Sequence, residues 1–363
     1  MDETPTSSEK PQITSKFIAW AGVLALAALS FTCFLWFRAQ IPARNALLSW
    51  MPENAQAVLF LDFTDLRRSP FFAELLSWAP KPESDPEYRQ FVRDTGFDYE
   101  RDLSTVAIAF EQQGRQQTFL AVAEGRFDEK KIKAYAAKTG ELKNSSGAEI
   151  FSIPTSGNTS HVFFTFLRTG RIAVSNRNDF ESFLQNAKTR NAKTPALSEW
   201  QARFERVAGS PVFSVIRGDA LKNYLGTPDT SKDLARRATG GLSSPQLSSL
   251  LAQLQWITLA GKPDHDKLRV VADGESLDDG NAKQLADVLN GIVLLARAGL
   301  GTVRNQQQIG APTRQNYLAL LKSVEVSRIN RGETKSVRLM FDVTPSLLNS
   351  APSLSPPLPP ATR

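Results

Sequence analysis

The feature that most constrains this chain is an uncharged run of residues near its start. Residues Phe17–Phe37 read FIAWAGVLALAALSFTCFLWF and include no acidic or basic side chain. As a helix rising about 1.5 Å per residue, the run extends roughly 30 Å, which matches the hydrocarbon core of a bilayer. Trp20 and Trp36 lie near its ends, where tryptophan favours the membrane–water interface. The run predicts one transmembrane helix, with the lipid bilayer as its partner.

Three fates compete for this run. A cleaved signal peptide has a shorter apolar region and small residues at the cleavage site, but Pro42 interrupts the only candidate. A lipoprotein needs small residues before its cysteine, whereas Phe31 and Thr32 precede Cys33. An uncleaved, single-pass signal anchor fits best. Because a long C-terminal domain is translocated largely regardless of its charge, we expect the bulk of the chain to be periplasmic or otherwise extracytoplasmic.

The composition is that of a globular protein. The chain has 363 residues, 41% hydrophobic and 22% charged, enough for one large or two ordinary domains. Its net charge of +6 comes from 43 basic and 37 acidic residues spread along the chain. Arg67-Arg68 and Arg236-Arg237 are isolated pairs, not a basic stripe. We therefore expect no nucleic-acid partner.

Shifts in composition divide the chain into six segments. In order, they are a disordered N-terminal tail (1–16), the transmembrane helix (17–37), a juxtamembrane helix or linker (38–50), a first α+β repeat (51–195), a second α+β repeat (196–348) and a disordered Pro-rich tail (349–363). The last segment ends in SLSPPLPPATR, which is polyproline-like.

An internal repeat is the basis for the two middle segments. Three blocks match without gaps and in the same order: 57–66 with 211–220, 120–125 with 269–274, and 152–166 with 327–341. Repetition in a fixed order favours duplication of one structural unit over chance similarity between strands.

Local signals give the fold of each half. Ser69-Pro70, Asp85-Pro86 and Ser244-Pro245 each predict the start of a helix. Segments of alternating apolar and polar residues predict hairpins, and the polar residues 299–318 an insertion loop. The predicted fold class is α+β. We expect two similar halves, each a mostly antiparallel sheet with helices on one face, after one N-terminal transmembrane helix.

No motif of a known catalytic, cofactor or metal site is present. The chain has no GxGxxG after a strand, no Walker sequence, no HExxH and no GxSxG. Its one cysteine, Cys33, lies in the apolar run, and its two histidines, His161 and His265, stand alone. We predict no catalytic, cofactor-binding or metal-binding residues, and a protein that is not an enzyme. The sequons at Asn144 and Asn158 matter only where a eukaryotic secretory pathway glycosylates them.

Paired carboxylates are the remaining candidates for chemistry. They are Asp62 with Asp65, Glu100 with Asp102, Asp219, and Asp278 with Asp279. General acid–base catalysis needs two carboxyl groups in different environments of one cleft. Glu100 and Asp102 precede a predicted hairpin. The others lie where strands pass into helices or where a helix begins, so we interpret them as helix-start residues.

The segments PENAQAVLFLDFTDLRRSPFF (52–72) and TGFDYERDLSTVAIAF (95–110) carry a family resemblance. A run like Pro52 to Phe72 after an anchor, and a Gly-Phe-Asp segment like Gly96–Asp98 before a hairpin, resemble a family of bacterial single-pass membrane-anchored envelope proteins of unknown function. The resemblance covers roughly residues 50–190. It implies an envelope location and gives no activity.

Three functions follow as hypotheses. The first is a membrane-anchored envelope protein with a non-enzymatic binding or interaction role toward a protein or envelope partner. The second is a small-ligand or lipid-binding module with a pocket between the two halves. The third, which the sequence favours least, is a hydrolase with a carboxylate site at Asp62 and Asp65.

Overall fold

The computed structural model describes residues 44–78, 86–113, 116–145, 147–154, 161–191, 198–225, 245–301, 310–332 and 334–350. The chain forms two compact units, Met1–Ser49 and Trp50–Arg363. The predicted tail 1–16 and membrane helix 17–37 lie outside the described residues, as do residues 38–43 of the predicted juxtamembrane segment and 351–363 of the predicted Pro-rich tail. In the first unit, residues 44–48 are helical. Within the described ranges, no helix combines the length and apolarity needed to cross a membrane.

Twelve strands of the second unit form one antiparallel sheet. The strands are β1 (Ala57–Asp62), β2 (Leu103–Gln113), β3 (Gln116–Gly125), β4 (Glu141–Ser145), β5 (Ala148–Pro154), β6 (His161–Arg168), β7 (Arg171–Ser175), β8 (Val212–Arg217), β9 (Trp256–Asp264), β10 (Lys267–Ser276), β11 (Glu325–Arg331) and β12 (Thr334–Val343). The helices are α1 (Phe63–Leu66), α2 (Pro70–Trp78), α3 (Pro86–Thr95), α4 (Tyr99–Asp102), α5 (Glu129–Thr139), α6 (Phe180–Asn191), α7 (Ser198–Arg206), α8 (Gly218–Leu225), α9 (Pro245–Leu251), α10 (Asp279–Leu300), α11 (Ala311–Ser323) and α12 (Pro345–Ser350). The α+β class with a large antiparallel sheet is confirmed.

Strands β1 and β8 are neighbours at the middle of the sheet. The order across the sheet is β11, β12, β10, β9, β8, β1, β2, β3, β7, β6, β5, β4. Strands from 51–195 therefore lie on one side and strands from 196–348 on the other. At the β1–β8 seam, Phe60 lies opposite Phe213 and their rings stack with centroids 5.0 Å apart. Both segments contribute to one continuous sheet, not to two separate ones.

The matched sequence blocks occupy similar positions in the sheet in one case and different positions in another. Block 57–66 covers β1 and α1, and block 211–220 covers β8 and the start of α8, so the two are adjacent at the seam. Block 152–166 includes parts of β5 and β6, whereas 327–341 includes parts of β11 and β12. Strand β12 pairs with β10, but β6 pairs with β5 and β7 and not with β3. The division into two similar halves stays a prediction.

Helices cover both faces of the sheet, so the prediction of helices on one face was wrong. Residues that lie directly opposite each other on paired strands point to the same face of the sheet. Following the strand registers across the sheet places Phe60 and Phe213 on the first face, and Phe164 and Val337 on the second. On the second face, α5 packs on Phe164, and α10 packs on Val337. On the first face, α7 places Phe204 against Phe213, with centroids 5.8 Å apart.

Helices are needed on both faces because the central strands contain pairs of consecutive buried residues. Val106 and Ala107 of β2 are both buried, and so are Val122 and Ala123 of β3. Successive strand residues point to opposite faces, so burial of both members requires cover on both sides. A sheet with helices on one face only, as predicted, does not meet this requirement.

Several predicted helix signals are confirmed, and two predicted loops are shorter than expected. Helices α2, α3 and α9 begin at Pro70, Pro86 and Pro245. The predicted loop 299–318 contains the first residues of α11, where Pro312 is the second helical residue and its fixed φ suits the first turn. The predicted tail 349–363 begins inside α12, which continues to Ser350.

Candidate functional site

The predicted carboxylate pair Asp62 and Asp65 forms a helix cap. Asp62 Oδ1 accepts a hydrogen bond from the Asp65 backbone N–H at 3.0 Å, which closes the start of α1. Burial raises the pKa of Asp62, and the nearby Asp65 charge adds to this increase. The Asp65 carboxylate lies 3.6 Å from Arg68 on the surface. This geometry supports the structural interpretation of the pair.

The other carboxylates at helix starts also have structural partners. Asp278 caps α10 and accepts the N–H groups of Gly280 and Asn281 at 3.1 and 3.2 Å. The exposed carboxylates of Asp219 and Asp279 lie 2.9 Å from Arg217 and 3.6 Å from Arg328, respectively.

Asp102 is buried and held by two arginines. Its carboxylate lies 2.6 Å from Arg101 and 3.0 Å from Arg126, and it accepts the Asp98 N–H at 3.0 Å. The hydrogen bond from Arg101 is the main cause that lowers the pKa of Asp102 to about 2. Asp102 therefore stays ionised and fixes the start of β2.

The two histidines do not meet. His161 lies on β6 beside Phe163, with ring centroids 6.3 Å apart. His265 lies in the turn between β9 and β10 with a positive φ of 58°, and its Nδ1 contacts Asp264 at 2.9 Å. Asn144 is exposed on β4, while Asn158 and Cys33 lie outside the described residues. Within the described part of the chain, no group of three or more His, Cys, Asp or Glu side chains is arranged to hold a metal ion.

Sequence reasoning missed two buried ion-pair clusters on the first face. Glu111 is only 1% exposed. Both of its carboxylate oxygens accept hydrogen bonds from Arg177 Nη1 at 2.6 Å, and Oε2 also accepts one from Asn54 Nδ2 at 2.9 Å. Glu275, also 1% exposed, accepts Arg203 Nη2 at 2.6 Å and a further bond from Arg206. Only the placement of a glutamate at a core position of a strand signals such a cluster in the sequence.

A third cluster joins Asp273 of β10 to Arg338 of β12 and Arg331 of β11. Arg338 Nε lies 2.7 Å from the Asp273 carboxylate and Arg331 Nη2 lies 3.2 Å from it. Burial by itself raises the pKa of Asp273, but the hydrogen bonds and charges of the two arginines outweigh burial and hold it below its ordinary value. The cluster therefore ties the outer strands to the sheet.

A cleft between α3 and α4 has a different character. Its cavity of about 250 Å³ is lined by Tyr88, Arg89, Val92, Arg93, Asp98, Tyr99 and Glu100. Gly96, with φ of 71°, ends α3 and turns the chain. Asp98 then caps α4 by accepting the Glu100 N–H at 3.0 Å. This short turn brings Tyr99 to Tyr88. We call this surface the tyrosine cleft.

The two tyrosine rings form adjacent walls of the tyrosine cleft. Their centroids are 6.0 Å apart and their planes meet at 62°. The Tyr99 hydroxyl donates to Glu100 Oε1 at 2.9 Å. Burial, followed by the interaction with Glu100, raises the pKa of Tyr99 to about 12, so the phenol is neutral at physiological pH. Phe91 does not line this cavity and packs on Tyr135, with ring centroids 5.3 Å apart.

A second cavity, of about 300 Å³, lies beside β5 and β6. Its charged wall is already neutralised, because Lys133 Nζ lies 2.8 Å from Glu129 and 2.5 Å from Glu149. The same ammonium lies 5.7 Å from the centre of the Phe166 ring. The polar groups of this cavity therefore stabilise the α5–β5 contact.

Comparison with known proteins gives distant structural similarity. No family model and no curated protein matches the chain. Crystal form III of TP0453 has 11% identity and a TM-score of 0.41, over 84% of this chain and 96% of that one. Crystal form I of TP0453 has 10% identity and the same TM-score, over 84% and 95%. At this level of similarity, the site has to be interpreted from its own side chains.

Proposed function

We propose that this chain is a non-enzymatic binding protein of the cell envelope, held at a membrane by residues 17–37. The tyrosine cleft is where it meets its ligand. The observation that carries this proposal is the corner made by Tyr88 and Tyr99, which meets charged groups of both signs in one surface cavity. Concave sites with aromatic walls and a few placed polar groups are the usual form of small-ligand sites.

The surroundings of the cleft favour binding over catalysis. The carboxylates Asp62, Asp65 and Asp102 are engaged in helix caps or ion pairs, so they give no support to a hydrolase. The tyrosine cleft lies within residues 51–195, so it gives no support to a pocket between the two halves either.

The support from sequence for membrane attachment is the uncharged run, with the bulk of the chain extracytoplasmic. Leu26→Lys combined with Leu29→Lys places two charges near the middle of the run, each costing about 3 kcal/mol in a bilayer. We expect this variant of the full chain to leave the membrane fraction. The matched control is Leu294→Lys with Leu295→Lys, two leucines that are already exposed on α10. A reporter fused after Arg363 reads out the compartment, and a cytoplasmic signal contradicts the proposed location.

Binding at the cleft is tested with the full chain in lipid nanodiscs and a library of small polar molecules. Ligand-observed NMR should find molecules whose binding weakens at least tenfold in Tyr99→Leu. Tyr317→Leu is the control, because Tyr317 on α11 is half-buried and does not line the cleft. If no bound molecule distinguishes the two variants, the tyrosine cleft is not a binding site.

A further inference from the structure

The charges of the tyrosine cleft differ from those of the neighbouring ion pairs. Asp102 and Glu149 each lie within 3.0 Å of an arginine or lysine nitrogen. In the cleft, Arg93 and the carboxylates of Asp98 and Glu100 line one cavity, yet no ion pair joins them among the described residues. Arg93 Nη2 instead donates to the amide oxygen of Gln90 at 2.7 Å. Arg93 thus shares a cavity with two carboxylates and forms its side-chain hydrogen bond to a neutral group.

One part of the cleft suits a cation. The ring planes of Tyr88 and Tyr99 meet at 62° in an edge-to-face contact, and Glu100 accepts a hydrogen bond from the Tyr99 hydroxyl at 2.9 Å. Aromatic faces attract ammonium groups through their quadrupole, and a neighbouring carboxylate adds direct attraction. Glu100 accepts the Tyr99 hydroxyl at Oε1, which leaves its Oε2 available to a bound ammonium group.

The other part of the cleft suits an anion. Arg89 and Arg93 are exposed and lie one turn apart on α3, a spacing that places two side chains on the same helix surface. Guanidinium groups bind phosphate through parallel N–H bonds, and two of them match a group with several oxygens better than one does.

We propose that the ligand of the tyrosine cleft is a small zwitterion that carries an ammonium group and a phosphate. The ammonium lies in the Tyr88–Tyr99 corner near Glu100, and the phosphate lies on Arg89 and Arg93. The cavity of about 250 Å³ is below the usual range for drug-sized ligands, which fits a compound of this size. This inference rests on the proposed function, and its two sources are a free phosphorylated amine and the headgroup of a zwitterionic lipid.

The test is calorimetry on the full chain in nanodiscs of phosphatidylglycerol, which has no ammonium group. We expect phosphocholine or phosphoethanolamine to bind at least tenfold more tightly than choline, ethanolamine or inorganic phosphate alone. Arg93→Ala should lower the affinity at least fivefold because it removes a contact to the phosphate. Tyr99→Leu should do the same because it removes an aromatic contact to the ammonium. Tyr99→Phe keeps the aromatic face and should retain most binding, while Arg314→Ala, outside the cleft lining, should change nothing.

The remaining outcomes separate the two proposals. Vesicles of phosphatidylcholine or phosphatidylethanolamine that compete with the soluble zwitterion identify a lipid headgroup, and vesicles that do not compete identify a free compound. If neutral or purely anionic molecules bind in a Tyr99-dependent manner and zwitterions do not, the ligand class is wrong and the binding function stands. If folded variants, checked by circular dichroism, bind everything as the unaltered chain does, both proposals fail.

Discussion

At the scale of single residues, the buried carboxylates of this chain stabilise its sheet through arginine. Glu275 is almost fully buried on β10, and Arg203 and Arg206 reach it from α7. Arg203 also lies over the Trp256 ring, with its guanidinium carbon 4.1 Å from the centroid. Removing one member of such a group leaves the others buried without a counter-charge, which costs more than the group contributes as a whole.

Glu275→Gln should therefore destabilise the chain by about 3 kcal/mol. The ion pair of Lys133 with the exposed Glu149 supplies the control. Surface ion pairs contribute roughly 1 kcal/mol or less, so Glu149→Gln should change little. Urea unfolding of the full chain in detergent, followed by tryptophan fluorescence, measures both. Equal effects of the two substitutions would show that burial adds nothing to the Glu275 cluster.

Asp102 gives a pH dependence whose sign follows from its lowered pKa. The pKa falls from 3.8 to about 2 in the folded chain, so the stabilisation is complete above pH 4 and is lost as the pH falls toward 2. Asp102→Asn should be less stable than the unaltered chain at pH 7, by roughly 1–2 kcal/mol. The difference should narrow between pH 4 and pH 2. Thermal unfolding at several pH values tests this, and a constant difference contradicts it.

At the scale of elements, close backbone approaches decide which glycines can be replaced. Gly218 joins β8 to α8, and a Cβ atom there would lie 1.8 Å from the carbonyl oxygen of Leu254. Gly291 lies in the middle of α10, and a Cβ atom there meets nothing within 4 Å. The first glycine is required by packing between elements, whereas the second only weakens a helix.

The same substitution should have opposite effects at these two positions. Gly218→Ala forces backbone atoms apart and should destabilise the chain by at least about 2 kcal/mol. Gly291→Ala improves helix propensity and should stabilise it by roughly 0.5–1 kcal/mol. Denaturant midpoints of the two variants measure the contrast. A stable Gly218→Ala variant would mean that the β8–α8 junction moves freely away from Leu254.

At the scale of the whole molecule, the seam between β1 and β8 makes one sheet from two segments of the chain. Phe60 and Phe213 are buried there and stack across the seam. Val58 lies opposite Val215 in the same register. Unfolding is cooperative when the strands on one side of the seam cannot keep their core after those on the other side unfold. The packing across the seam makes the two sides depend on each other in this way.

We expect the second unit, Trp50–Arg363, to unfold in a single transition. Phe60→Ala should destabilise it by about 3–5 kcal/mol, because it removes a buried ring from the seam. Calorimetry of the full chain in detergent provides the measurement. Two separate transitions in the unaltered chain, or an effect of Phe60→Ala on only part of the signal, would indicate halves that fold independently.

The local elements were accessible from sequence because their causes are local. Proline after serine or aspartate began three helices where predicted, since its fixed φ suits the first turn. The apolar residues of the central strands indicated β structure in the same way. The cover on both faces was missed because local signals do not indicate onto which face of a sheet a neighbouring helix packs, as α7 does beside Phe213.

In the tyrosine cleft, too, one part could be predicted from the sequence and another could not. The sequence predicted a helix that begins at Pro86, and the structure agrees. It did not indicate that the turn to α4 would bring Tyr99 against Tyr88, because backbone angles after a left-handed glycine set that distance.

The sequence by itself determined the α+β class, the helix starts and an apolar run that predicts an anchor, because these follow from periodicity, capping and hydrophobicity along short stretches. Only the tertiary structure decided that β1 and β8 join one sheet, that Glu111 and Glu275 are buried on arginines, and that opposite charges share one cleft. The first two features depend on residues far apart in the chain, whose distances are set by packing and not by spacing in the sequence, whereas the third depends on the turn at Gly96 between two helices.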